Sequence, residues 1–238
     1  MTIKAVLFDL DDTLFDYESC NQEATKEIFK EIHKLTKTPL ELIPILFEIA
    51  QKEVKMQLLW TAASHNKDLY FQKIFEKMNS QMKNKILPKD ILHIFDRYWK
   101  VFYSTIKRER VTTELLKYLK RRGIKTWIVT DSSNYTQLKK LVHLGIDDKI
   151  DIMVSSEEAG MDKPHSSPFL LAAHKLEVLT KECIMVGDNI QKDIDGAQRL
   201  GMQGIWINRY HKETKGLCAR FTVYSTAELL ELLKKLIP

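Results

Sequence analysis

Ala5-Val6-Leu7-Phe8-Asp9-Leu10-Asp11-Asp12-Thr13-Leu14 is the stretch whose reading decides the fold. Its first four residues are apolar without alternation, the pattern of a short strand buried on both faces of a parallel sheet. The run stops on an acidic cluster, so the strand delivers carboxylates to one edge of that sheet. Two later stretches repeat the pattern. Thr126-Trp127-Ile128-Val129 ends at Thr130-Asp131, and Cys183-Ile184-Met185-Val186 ends at Gly187-Asp188. Ile150 to Val154 and Gly204 to Ile207 read as two further strands. Between them lie helical patterns over Thr112–Arg122, Tyr135–Leu144, Ser167–Leu176, Asp193–Leu200 and Thr226–Leu236. Gly123, Gly145 and Gly201 stand where helix-closing residues belong. Strands alternating with helices of this length predict an α/β fold. Its core is a doubly wound, Rossmann-like parallel sheet with helices on both faces.

That core is interrupted after its first strand. From Ser19 to Ile106 the sequence holds no glycine, and apolar residues recur at helical spacing, as in Ile28, Phe29, Ile32 and Leu35. Four or five helices are expected, two of them starting at Asn66 and Pro88, with Pro44 breaking or beginning another. The predicted organisation is a core of residues 1–17 and 108–238 with an inserted helical domain at 18–107.

Composition narrows the function classes. The chain has 238 residues, 44% hydrophobic and 29% charged, enough to bury a sizeable core. A net charge of +5 is mild and accommodates an anionic small-molecule partner. Cys20, Cys183 and Cys218 form neither a C-x-x-C pair nor a zinc spacing, which reads as a reduced, cytoplasmic chain. The first apolar run is too short for a signal sequence, and no uncharged stretch approaches the ~20 residues of a membrane helix. The basic runs Lys107-Arg108-Glu109-Arg110 and Lys120-Arg121-Arg122 come with no recognition motif, so no nucleic-acid partner is expected. Met202 follows Gly196 and Gly201 where a phosphate-binding loop needs Lys, and no Gly-x-Ser-x-Gly elbow occurs.

Ligands of open parallel sheets bind outside the carboxyl ends of the strands. The polar residues at those ends are Asp9 and Asp11, then Thr130, Asp131 and Ser132, then Gly187, Asp188 and Asn189. Lys163-Pro164 lies in a loop between them. A lone carboxylate after a strand is usually a helix cap. Several converging ones raise each other's pKa unless a cation is present, and a hard divalent ion such as Mg²⁺ takes oxygen ligands.

These residues, in this order, resemble the four motifs of the haloacid dehalogenase superfamily: Asp9 to Leu14, Thr130, Lys163-Pro164, and Gly187-Asp188-Asn189-Ile190-Gln191-Lys192-Asp193. The helical insert is similar to the family's cap domain. The resemblance implies Asp9 as a nucleophile forming an aspartyl-phosphate and Asp11 as general acid and base. It implies Thr130, Asp131, Ser132 and Lys163 as phosphate contacts. Mg²⁺ would be held by Asp9, the Asp11 carbonyl and Asp188, with Asp193 nearby. The family's dehalogenases lack an acid where Asp11 stands, because halide leaves without a proton, so phosphoryl chemistry is implied. Asp131-Ser132-Ser133 departs from the Asn or Ser then Gly of many relatives and adds a negative charge. The layout, with Trp206-Ile207-Asn208, is most similar to the N-acylneuraminate-9-phosphatase and pyrimidine nucleotidase branch. The expectation is a Mg²⁺-dependent phosphatase, monomer or homodimer, acting on a small sugar phosphate or nucleoside monophosphate. Its alternatives are a phosphomutase and a non-catalytic binding or regulatory protein. The insert would be a mobile cap that selects substrate, with Trp60, His65, Arg97, Trp99 and Tyr103 as candidate contacts.

Overall fold

The computed structural model describes residues 2–79, 85–214, 216 and 219–238. Cys218 lies outside the described residues. The chain forms two compact units, Met1–Asp16 with Lys107–Pro238, and Tyr17–Ile106.

The first unit is built on six parallel strands: β1 (Ala5–Phe8), β2 (Lys125–Thr130), β3 (Ile152–Ser155), β4 (Cys183–Gly187), β5 (Gln203–Ile207) and β6 (Phe221–Val223), in the order β3-β2-β1-β4-β5-β6. It is a Rossmann-type α/β fold. β1 sits between β2 and β4, with Phe8 opposite both Ile128 and Val186. All four β1 residues are fully buried, which is why the run shows no alternation. Ala5, Leu7, Trp127, Val129 and Met185 share one face with Phe169, Ala172, Ala173 and Leu176 of the helix Ser166–Leu176.

The insert comprises α1 (Tyr17–Thr36), α2 (Leu42–Gln57), α3 (Lys67–Asn79) and α4 (Pro88–Thr105). Pro44 falls in the first turn of α2, where a missing N–H costs nothing. Asn66 Oδ1 accepts the Asp68 N–H at 3.2 Å and opens α3. Phe47, Tyr70, Phe71, Tyr98 and Phe102 are buried together, with ring centroids 5.8–6.0 Å apart. Arg97 joins α4 to Glu31 of α1 at 3.2 Å, and Tyr98 donates to Asn21 of α1 at 2.7 Å. Trp99 stacks on Tyr103 at 5.2 Å. His65 ends a short helical turn at Ala62–His65, and Trp60 is half exposed.

After β1 and the insert, the core continues as α5 (Arg110–Arg121) and β2, α6 (Asn134–Leu144) and β3, α7 (Ser156–Ala159) and α8 (Ser166–Leu176). Then come β4, α9 (Gly196–Gln198), β5, β6 and α10 (Thr226–Leu236). Three elements differ from expectation. β6 and α7 are too short, at three and four residues, for periodicity to register. The helix expected from Asp193 instead opens as a π-helical turn over Ile190–Asp195. Asn189 starts that turn by accepting the Gln191 and Lys192 N–H groups at 3.1 and 3.0 Å, and its carbonyl accepts the Asp193 N–H at 2.8 Å. The wide winding carries Asp193 inward. Among the described residues no helix is long and apolar enough to cross a membrane.

Candidate active site

Adjacent strands put the site together. β2, β1 and β4 lie side by side, so Thr130, Asp9 and Asp188 leave the sheet at neighbouring carboxyl ends. The Asp9 N–H donates to Val186 O at 2.9 Å and continues the β1 ladder, fixing where its carboxylate begins. Lys163 Nζ donates to Asp9 Oδ1 at 2.7 Å and to the Val129 carbonyl at 2.9 Å, and pairs with Asp193 Oδ1 at 2.7 Å. Thr13 Oγ1 is 3.5 Å from Asp9 Oδ2.

This knot is buried. Lys163 is 2% exposed, Asp193 1% and Asp9 7%, values at which an unpaired charge would be prohibitive. Burial pushes the Asp9 carboxyl well above the ordinary carboxylate range. Lys163 opposes that rise, while Asp193, Asp188 and Asp11 reinforce it. Asp193 is raised for the same first reason, again against Lys163. Burial pulls Lys163 the other way, but Asp193, Asp9 and Asp131 together hold its ammonium well above its usual value.

Asp9, Asp188 and Asp193 place one carboxylate oxygen each within 4.8 Å of one another. The Asp188 carbonyl accepts from Trp206 Nε1 at 2.8 Å, and its carboxylate meets Lys212 Nζ at 2.9 Å. The donors are all oxygen, and one buried ammonium faces an excess of carboxylate. A hard divalent cation fits that set on both counts: donor type, and the charge that burial makes costly. Gly187 makes room for the arrangement. A Cβ there would stand 2.3 Å from Asp193 Oδ2. Gly187→Ala is therefore expected to destabilise the fold by about 1–3 kcal/mol through overpacking, read as a lower urea midpoint at unchanged slope.

The neighbouring residues are equally engaged. Asp131 Oδ1 accepts the Lys163 backbone N–H at 2.9 Å, and its Oδ2 accepts Lys192 Nζ at 2.7 Å. The extra negative charge noted in the sequence is thus neutralised, and it anchors the Lys163 loop. Ser132, at φ 95°, already donates its N–H to Ser156 Oγ at 2.9 Å. Asp12 and Asp16 both accept from the Tyr210 hydroxyl at 3.0 Å and shape the loop after β1.

Two residues with no role in the sequence reading enter from α6. Gln137 and Lys140 are fully buried, 0% and 2% exposed. Gln137 Nε2 donates to Thr130 Oγ1 at 2.6 Å and to the Asp131 carbonyl at 2.9 Å. Lys140 Nζ reaches both carboxylate oxygens of Asp11, at 2.8 and 2.6 Å. Lys192 stands inside the fourth motif without a role of its own in the sequence reading, and nothing local separates Lys212 from a surface lysine.

Comparison with known proteins agrees with this fold. The family model described as haloacid dehalogenase-like hydrolase matches residues 3–201. The chain is 33% identical over 202 residues to the ribulose-1,5-bisphosphate 5-phosphatase of Halopiger xanaduensis, covering 84% of this chain and 83% of that one. It is 29% identical over 236 residues to the glyceraldehyde 3-phosphate phosphatase of Methanocaldococcus jannaschii, covering 98% of each. The mouse N-acylneuraminate-9-phosphatase is 23% identical, with 98% and 95% covered. A crystal structure of a HAD phosphatase from Thermococcus onnurineus superposes with a TM-score of 0.76 at 23% identity, over 97% of this chain and 98% of that one.

Proposed function

The chain belongs to the haloacid dehalogenase-like hydrolases and acts on phosphate esters of small metabolites, and we propose that it is a Mg²⁺-dependent sugar-phosphate phosphatase working through an aspartyl-phosphate at Asp9. The observation that carries this reading is the Asp9 carboxylate, buried at a strand end and held at 2.7 Å by Lys163. The relatives named above act on sugar phosphates, which favours that class over nucleoside monophosphates.

Asp9, Asp188 and the Asp11 carbonyl would hold the ion, with Asp193 beside them. When bound, it supplies positive charge that offsets the phosphoryl oxygens and the clustered carboxylates. The chain's own residues do the rest. A carboxylate oxygen of Asp9 attacks phosphorus, and the bond from phosphorus to the ester oxygen breaks. Asp11 gives that oxygen its proton. Water then attacks the phosphorus of the acyl phosphate while Asp11 takes a proton from it. The Asp9–phosphorus bond breaks, releasing inorganic phosphate and restoring both carboxyl groups.

Lys163 neutralises phosphoryl charge while keeping Asp9 oriented. The Thr130 hydroxyl, which accepts from Gln137, turns its own proton from a weak 3.4 Å contact with the Asp131 carbonyl to a phosphoryl oxygen. The Ser132 hydroxyl adds a second donor. The Asp131 carboxylate acts through Lys163 and Lys192. The helical unit Tyr17–Ile106 is proposed to discriminate among substrates.

A panel of phosphorylated metabolites tests the reading. Triose and pentose phosphates should release inorganic phosphate with Mg²⁺, lose that activity with EDTA and regain it with added Mg²⁺. Nucleoside monophosphates should be at least about tenfold slower, the scale set by an imperfect pocket. Isomerised sugar phosphate without free phosphate would make the protein a mutase. No turnover on any ester would make it a binding protein.

A further inference from the structure

We propose that Lys140 is a positioning residue that fixes the Asp11 carboxyl for proton transfer to the leaving group. The inference rests on the reading of Asp11 as the acid and goes beyond it by naming what holds that acid in place.

The structural case begins with cost. Lys140 has a side chain only 3% exposed, on the buried face of α6 with Gln137, Leu141 and Leu144. A lysine there is expensive to bury, and an unbranched apolar residue would fill the same volume without that cost. Its neighbour Lys139 is exposed, so α6 carries one solvated lysine and one driven inward. The inward one ends on Asp11, whose side chain is 28% exposed and so still open to solvent. Both Asp11 oxygens are engaged, at 2.8 and 2.6 Å, and Gln137 Nε2 adds a longer 3.4 Å contact to Oδ2.

The ionised carboxylate, gripped through both oxygens, cannot rotate about its terminal torsion, which is otherwise broad for Asp, and in the acid form the ammonium stays on one oxygen while the other carries the proton to be delivered. Two oxygens held by one ammonium define the plane of the group. Lys140 and Gln137 stand one turn apart, at i and i+3, and serve two motif loops at once. Lys140 holds the acid that follows β1, and Gln137 holds the Thr130 hydroxyl at the end of β2. One helix face therefore sets the relative placement of the proton donor and a phosphate contact. Small displacements of a reacting group cost large factors in rate, and this is the kind of support that prevents them.

The consequence is specific to the leaving group. An alkoxide leaving a sugar phosphate needs a proton as the ester bond breaks, whereas p-nitrophenolate hardly does. The test measures kcat/KM for wild type, Lys140→Met and Asp11→Asn on p-nitrophenyl phosphate, phenyl phosphate and glycerol phosphate, with thermal unfolding of each. Lys140→Met should lose roughly 100-fold on glycerol phosphate and less than about fivefold on p-nitrophenyl phosphate. Its slope against leaving-group acidity should lie between those of wild type and Asp11→Asn. Its melting temperature should fall by no more than about 4 °C, since the partner left behind, Asp11, is 28% exposed and can be hydrated. In the double variant the Lys140 change should add little to the Asp11 loss, because both act on one proton. An equal loss of Lys140→Met on all three esters, or a wild-type slope, would overturn the proposal. If Asp11→Asn itself shows a wild-type slope, the reading of Asp11 as the acid fails, and the role of Lys140 falls with it.

Discussion

Asp9→Asn should lose turnover by about 10⁴-fold or more on every phosphate ester while remaining folded. The amide has nearly the volume of the carboxylate but is not a nucleophile, so no bond to phosphorus forms. The fold should survive because the buried ammonium keeps its other partners: Lys163 still meets Asp193 Oδ1 at 2.7 Å and the Val129 carbonyl at 2.9 Å. The Asp9 N–H bond to Val186 O is a backbone contact and does not change. Circular dichroism and thermal unfolding check the fold, and phosphate release checks the activity. Retention of more than a few per cent of kcat would remove Asp9 from the role of nucleophile, since that is orders of magnitude above the expected loss.

Lys163→Met has the second-largest expected effect, and it falls on stability and rate together. The ammonium is the buried counter-charge to Asp9 and Asp193, themselves 7% and 1% exposed. Removing one partner of such a cluster strands the others, a loss of about 3–5 kcal/mol. Equilibrium urea unfolding reads it. Adding Asp193→Asn should recover part of that stability by removing one stranded charge, without recovering activity. On the kinetic side, the role proposed for Lys163 is to neutralise the phosphoryl group without touching the leaving group. kcat/KM should therefore fall by a similar factor, about 10³ or more, for p-nitrophenyl phosphate and for a sugar phosphate alike. A loss confined to one substrate would place Lys163 in specificity instead.

The sequence was most informative where a strand ends on a polar residue. Ala5–Phe8 reads as a fully buried central strand because both faces are covered, and Asp9 follows directly. The same logic locates Thr130 at the end of β2 and Asp188 after β4. What could not be read depends on placement in three dimensions. Lys139 and Lys140 are adjacent and chemically identical, yet one faces solvent and the other the Asp11 carboxylate. Only the packing of α6 distinguishes them. Asp131 looked like surplus negative charge because its partners lie 32 and 61 residues away. The π-helical turn at Ile190–Asp195 escaped for a related reason. Its wide winding is set by Asn189 capping and by the space Gly187 leaves for Asp193, neither of which alters apolar spacing.

The central claim is a covalent bond between Asp9 and phosphorus, and one measurement addresses it directly. Enzyme turning over a sugar phosphate with Mg²⁺ is quenched in acid, where an acyl phosphate survives briefly, then digested and examined by mass spectrometry. A parallel sample is reduced with borohydride, which converts an aspartyl-phosphate to homoserine. The peptide containing Asp9 should carry one phosphoryl group, with homoserine at position 9 after reduction. With p-nitrophenyl phosphate, whose leaving group hardly needs a proton, the modified fraction should rise in Asp11→Asn, where the proton acceptor for the hydrolytic water is gone. Steady production of phosphate with position 9 unmodified in both wild type and Asp11→Asn, or phosphoryl on another residue, would contradict the mechanism.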